Sequence, residues 1–222
     1  LLSLSPHQET SEEVVSAEGE NAISQDPCAN ALGNGDKIIS GPSGPSSNGA
    51  DRDNPFHSLT IHPTDPNHII VGTERNGFLR SLDGGVTWAR FRYGLRHGST
   101  GYSEIYDIDI AESNPNIVYA AFVDSPSSLL REGANGGIYK SIDGGETWMR
   151  KNCGIQDNGG RVTTVYVDPR DANHAFLAIS GGRTSYTIPD KPEGIYIDGG
   201  IYETVDGGEQ WVRINTTLND EK

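Results

Sequence analysis

The chain is short of basic residues, of cysteine and of long apolar runs, and each shortage excludes a class of function. Lysine and arginine number 17 against 31 aspartates and glutamates, a formal charge of −14. Such a surface repels nucleic-acid phosphates and anionic lipid, so neither is expected as a partner. Two cysteines in 222 residues cannot build a disulfide scaffold or a multi-cysteine zinc module. No apolar stretch approaches the roughly 20 residues of a membrane span. The six histidines show no ligand spacing such as HExxH, and no P-loop, nucleotide-binding glycine motif or GxSxG elbow is present. No metal or cofactor is expected. Glycine and proline are plentiful, at 28 and 12 residues. Residues so hostile to helix interiors exclude an all-helical protein and point to many turns. The length suits one domain, with or without a tail. The first residue is Leu1 rather than Met, so the chain is expected to be processed, trimmed or a fragment.

Residues 1–50 differ from the rest. They carry seven acids, from Glu9 to Asp36, against the single cation Lys37, and no aromatic residue. That composition offers too little apolar surface to offset the entropy of ordering. A flexible or surface-draped acidic leader is expected there. One stretch, Lys37 to Ser40, has the makings of a strand. Cys28 lies in this leader and Cys153 in the body. They are either two unrelated thiols or, in an oxidising compartment, a bridge that pins the leader down.

From Phe56 onward the chain repeats itself. Three units, about 55–92, 103–151 and 160–214, share one internal order within the 51–222 region. Their tryptophans Trp88, Trp148 and Trp211 fall 60 and 63 residues apart. A β-branched strand is followed by a Pro/Asp/Asn turn: PTDPN, SNPN or PRDAN. A second strand is predicted over Ile69–Gly72, Ile117–Phe122 and Ala175–Ile179. A third is predicted over Gly77–Ser81, Gly137–Ser141 and Gly200–Thr204. A tight Asp-Gly-Gly turn then leads to a fourth strand that begins with the Trp. Four antiparallel strands at this period describe an all-β fold, the blade of a β-propeller. No 3.6-residue apolar period supports a helical solenoid.

The turn reads Ser81-Leu-Asp83-Gly-Gly85-Val-Thr87-Trp88, then Ser141-Ile-Asp143-Gly-Gly145-Glu-Thr147-Trp148, then Thr204-Val-Asp206-Gly-Gly208-Glu-Gln210-Trp211. These segments resemble the Asp-box, or BNR repeat, S-x-D-x-G-x-T-W. It occurs in the propellers of sialidases, xyloglucanase-type glycosidases, sortilin-type receptors and photosystem assembly factors. Two copies match in full, and the third has Thr204 for Ser and Gln210 for Thr. The pattern has a local reason. Gly-Gly tolerates positive φ, the Asp accepts the turn's amides, the hydroxyl binds the same loop, and the Trp anchors the blade. The resemblance implies a structural box on the outer rim, away from any active site. Calcium is disfavoured, because each turn offers one carboxylate and calcium takes six to eight oxygens.

Strand parity locates a working face. Connections between strands 1 and 2, and between 3 and 4, are short and alike. Those between strands 2 and 3 and between successive units share the opposite face, and they are long and diverse. Candidate binding residues on that face are Glu74, Arg75, Arg96, Tyr102 and Arg131, with Asp157, Arg161, Arg183, Tyr186 and Tyr196. Carboxylates, arginines and tyrosines together suit a glycan or a protein loop. Glu74 falls where xyloglucanase-type enzymes, which the first unit resembles, place an essential Asp. Glycoside hydrolysis needs a second carboxyl group, and Glu104, Glu132 and Asp157 are the candidates. The Arg-Ile-Pro motif of sialidases is absent from the chain.

Closed propellers have roughly four to eight blades. Three units therefore imply further blades, from the same chain or another. The reading that follows is a non-catalytic, extracytoplasmic recognition or scaffold module that binds a glycan or a protein. The alternative is a glycoside hydrolase fragment, xyloglucanase-like or sialidase-like, with part of its active site missing.

Overall fold

The computed structural model describes residues 56–74, 77–91, 93–95, 97–98, 101–102, 104–123, 136–155, 161–183, 196–197 and 199–215. The leader with Cys28, and Arg75, Arg96, Arg131, Glu132, Asp157 and Tyr186, lie outside these residues. Blade 1 contains β1 (Phe56–His62), β2 (Asp65–Thr73), β3 (Phe78–Ser81) and β4 (Ala89–Phe91). A two-residue pair, β5 (His97–Gly98) and β6 (Gly101–Tyr102), follows. Blade 2 contains β7 (Glu104–Ile110), β8 (Val118–Val123), β9 (Gly137–Ser141) and β10 (Met149–Arg150). Blade 3 contains β11 (Val162–Val167), β12 (Ala175–Ile179), β15 (Gly200–Thr204) and β16 (Val212–Arg213). Its middle connection carries a small hairpin of β13 (Gly182–Arg183) and β14 (Tyr196–Ile197). Each blade is a four-stranded antiparallel meander. The architecture is all-β, three consecutive blades of a β-propeller.

Strand positions follow the expected order: β3 begins one residue late, β8 is shifted by one residue, and two further differences stand out. β2 starts at Asp65 rather than Ile69, with a register shift at its turn. The fourth strands start one residue after the Trp. The cause is visible in blades 2 and 3, where the Trp amide serves the neighbouring blade instead of its own sheet. Trp148 N donates to Tyr93 O at 3.0 Å, and Trp211 N donates to Cys153 O at 2.9 Å.

The three Asp-Gly-Gly turns are built alike. Asp83 accepts the Thr87 amide at 2.8 Å and the Thr87 hydroxyl at 2.5 Å. Asp143 repeats this with Thr147 at 2.8 and 2.6 Å. Asp206 accepts the Gln210 amide at 3.0 Å. Ser81, Ser141 and Thr204 each donate to the Asp and accept the second glycine's amide. Hydrogen bonds from Thr87 and Ser81 hold the Asp83 carboxyl down at about 2. Burial opposes ionisation of Asp143, but the bonds from Thr147 and Ser141 outweigh it, and its pKa is also lowered. The Pro/Asp/Asn turns lock onto these Asp-Gly-Gly turns. Asn67, Asn116 and Asn173 carbonyls accept the amides of Gly84, Gly144 and Gly207. The short-loop face is therefore closed by its own hydrogen bonds.

The core lies between blades rather than within one. One apolar cluster joins Ile70, Phe78, Phe91 and Leu95 of the first unit to Ile108, Val118, Phe122 and Trp148 of the second. Phe78 stacks on Trp148 with centroids 4.2 Å apart. The other cluster joins Tyr119, Ile138 and Ile155 to Val165, Leu177, Tyr202 and Trp211. Polar bonds cross the same joints. Asp107 and Asp109 accept the amides of Val165 and Val167 at 3.0 and 2.7 Å. Arg80 pairs with Glu146 at 3.3 Å, and Lys151 with Glu209 at 2.5 Å. Lys140 Nζ donates to Gly207 O at 2.8 Å.

Candidate binding face

The long connections leave from the ends of β2, β8 and β12 and from the fourth strands. Their bases are clamped. Arg150 Nε donates to Gly136 O at 3.0 Å, and Asn152 Oδ1 accepts the Ile138 amide at 2.9 Å. In blade 3, Arg213 donates to Gly199 O at 2.7 Å, and Asn215 Oδ1 accepts the Ile201 amide at 2.8 Å. The clamp is written in the sequence as Trp148-x-Arg150-x-Asn152 and Trp211-x-Arg213-x-Asn215. The sequence reading passed over this signal because only the turn before the Trp was compared. In blade 1 the β2–β3 connection starts tightly: the Thr73 hydroxyl and amide both donate to Gly77 O, at 2.8 and 3.2 Å. Gly77 takes φ 76°, which a side chain would disfavour. That hairpin base presents Glu74, partly exposed, at the end of the strand.

The inner strands of the three units run side by side, with β7 packed against both β1 and β11. Glu104 and Tyr106 lie at the start of β7, where a register shift between Ile105 and Asp107 leaves Tyr106 as the extra residue. His57 near the start of β1 stacks on the Tyr106 ring, with centroids 5.0 Å apart and planes 10° off parallel. Arg161 precedes β11, bridges Val123 through its backbone, and accepts the Ser180 amide at 3.1 Å. The Tyr106 phenol reports the company it keeps. Burial raises its pKa, the Glu104 charge and the hydrogen bond to Glu104 add to that, Arg161 opposes it, and Glu74 adds a smaller push. The charges of Glu104, Arg161 and Glu74 thus act on a phenol that is also one ring of the aromatic pair. Arg161 Nε is buried without a hydrogen-bond partner among the described residues.

Of the sequence-nominated residues, the structure brings together Glu74, Glu104 and Arg161. Tyr102, Arg183 and Tyr196 fall in β6, β13 and β14, and their side chains are outside the description. Cys153 is disulfide-bonded; Cys28 lies outside the described residues. His57 and Tyr106 were missed, because an aromatic at a strand start reads as ordinary blade packing. No group of three or more His, Cys, Asp or Glu residues among the described residues is arranged to hold a metal ion. No helix among them is long and apolar enough to cross a membrane.

Comparison with known proteins gives distant likenesses. No family model matches the chain. A probable oligoxyloglucan-reducing end-specific xyloglucanase of Neosartorya fischeri is 26% identical over 165 residues, 71% of this chain and 17% of that protein. Among solved structures, a GH74 enzyme of Niastella koreensis aligns at TM-score 0.48 and 18% identity, over 71% of this chain and 22% of that one. YCF48 from Cyanidioschyzon merolae aligns at TM-score 0.45 and 19% identity, over 72% of this chain and 37% of that one. The chain therefore spans about a sixth of the length of the curated xyloglucanase that it matches.

Proposed function

We propose that these blades are Asp-box propeller blades whose long-loop face is a recognition site, acting outside the cytoplasm on a glycan or a protein segment. The observation that carries this reading is the meeting of three blades at the start of β7, where His57 stacks on Tyr106, Glu104 hydrogen-bonds the phenol and Arg161 is tied to Val123. Carboxylates and a guanidinium bond hydroxyls or backbone amides, and the His57–Tyr106 pair offers an aromatic surface for a sugar or a side chain. The Thr73–Gly77 hairpin base beside Glu74, the β7–β8 pairing of Glu104 and the Val123 bridge of Arg161 hold these residues on rigid backbone, as a preorganised site requires. The similarity to a protein named as a xyloglucanase makes xyloglucan oligosaccharides the first probe.

The test is calorimetric titration of those oligosaccharides, and of a displayed peptide library, against the chain and its Tyr106→Ala variant. Loss of the aromatic surface should weaken binding at least tenfold, or about 1.4 kcal/mol. Equal affinity of parent and variant for every ligand bound would refute the site. A second reading, part of a glycoside hydrolase, is favoured by the same relative and by the position of Glu74. It expects reducing sugar to be released from xyloglucan by a longer protein containing these blades, and Glu74→Gln to abolish that release. Undiminished release from the variant would remove Glu74 from the chemistry.

A further inference from the structure

The joint between blades 1 and 2 and the joint between blades 2 and 3 can be compared position by position, because their short turns are fixed alike. Asn67 and Asn116 make the same carbonyl bond to the next Asp-Gly-Gly turn, so His68 of blade 1 corresponds to Ile117 of blade 2. The pairs Ile61–Ile69 and Ile110–Val118 are equivalent, so His62 corresponds to Ala111. At the joint between blades 2 and 3 both places are apolar. Ala111 is fully buried in the shared core, and Ile117 packs against it. At the joint between blades 1 and 2 both are imidazoles, stacked with centroids 5.2 Å apart and planes 18° off parallel. Each joint also has a cation at one equivalent place. Arg80, in register with Ile70, reaches Glu146 and Gly144 O of blade 2. Lys140, in register with Tyr119, reaches Gly207 O of blade 3.

The imidazole pair is arranged for the neutral state. His62 Nδ1 accepts the Thr64 amide at 3.3 Å, which requires a ring nitrogen without hydrogen. His68 Nε2 is buried with no hydrogen-bond partner among the described residues. A charged His68 ring has an N–H at that atom with no acceptor for it. Burial is the largest influence holding the His68 pKa below the usual histidine value, the charges of Arg80 and His62 add to it, and Asp65 opposes them. The acids that blade 2 brings to this end are engaged or in water. Glu146 is paired with Arg80, Asp143 is bonded within its own turn, and Glu112 on the β7–β8 turn is exposed.

We propose that the joint between blades 1 and 2 is an acid-sensitive hinge that loosens when His68 takes up a proton, whereas the joint between blades 2 and 3 has no such group. With the joint open, His68 meets water and takes a proton near the ordinary value of about 6.5. With the joint closed, it resists the proton. The open state therefore binds more protons, and closure weakens as the pH falls below about 6.5 until the closed His68 titrates as well. Above that range the ring is neutral in both states and costs nothing. The His57–Tyr106 stack crosses the same joint, so opening parts those rings too.

Hydrogen exchange of two equivalent amides reads each joint by itself. They are Trp148 N–H, bonded to Tyr93 O, and Trp211 N–H, bonded to Cys153 O. In the 222-residue chain, protection of Trp148, corrected for the intrinsic exchange rate, should fall at least about threefold between about pH 7.5 and about pH 5. Protection of Trp211 should not fall. His68→Ile copies Ile117 of the other joint, and His68→Gln keeps a polar side chain that stays neutral; either should abolish the fall at Trp148. Protection of Trp148 that holds down to about pH 5 in the parent overturns the proposal. A fall that survives both substitutions overturns it equally. So does an equal fall at Trp211 in the parent, because acid then loosens the whole chain rather than one joint.

Discussion

Replacing Gly94 by Ala tests how tightly the blades are joined. Gly94 has φ 88°, and an added Cβ would run into the carbonyl oxygen of Trp148 in the next blade. Gly144 provides the control: it has φ 70°, but an added Cβ there meets nothing within 4 Å. Both substitutions incur the left-handed backbone penalty of roughly 1–2 kcal/mol. Only Gly94→Ala must also move the linker, by roughly an ångström or more, to restore van der Waals separation. That movement breaks the Trp148 N–H bond to Tyr93 O, 3.0 Å long, at a loss of about 1 kcal/mol. It also lifts Leu95 and Trp148, both fully buried, out of contact. Partial loss of one such large side chain adds another 1–2 kcal/mol or so. Gly94→Ala should therefore lose about 3–5 kcal/mol and Gly144→Ala about 1–2 kcal/mol. Urea unfolding followed by Trp fluorescence reads the difference as a shift in midpoint at constant slope. Equal midpoints for the two variants would refute the close approach of the 93–95 linker to Trp148.

The loop clamps should differ in weight. Asn152→Ala strands the buried Ile138 amide and should cost about 2 kcal/mol, whereas Asn215→Ala leaves the more exposed Ile201 amide open to water and should cost less than about 1 kcal/mol; urea midpoints would again decide, and a reversed order would contradict the burial. Asp109 carries a pH signature. Burial raises its pKa against the Val167 amide bond, with Asp107 adding to the rise, so its charge costs stability above the raised folded value, and the cost is gone below the unfolded value of about 3.9. Asp109→Asn keeps an oxygen for the Val167 amide, so it should stabilise the chain at pH 7 and cease to do so below about pH 4; a pH series of melting curves with no such crossover would count against it.

The sequence by itself determined the blades. Period-2 strands, the Asp-Gly-Gly turns and the spacing of Trp88, Trp148 and Trp211 are local features, and local hydrogen bonds carry them out. β9, β12 and β15 match their expected bounds for that reason. The place of Glu74, just past the end of β2, was legible too, since a strand end beside a turn glycine is written in neighbouring residues. The tertiary structure alone decided what meets what. Asp107 and Asp109 read as ordinary strand residues until β11 supplies amides 58 residues away. Tyr106 and His57 are 49 positions apart and stack only because β1 and β7 lie in adjacent blades. The Trp amides were assigned to their own strands because a local pattern cannot show a neighbour's carbonyl. Contacts between blades join residues far apart in the chain, and their partners are chosen by packing rather than by any motif within one repeat.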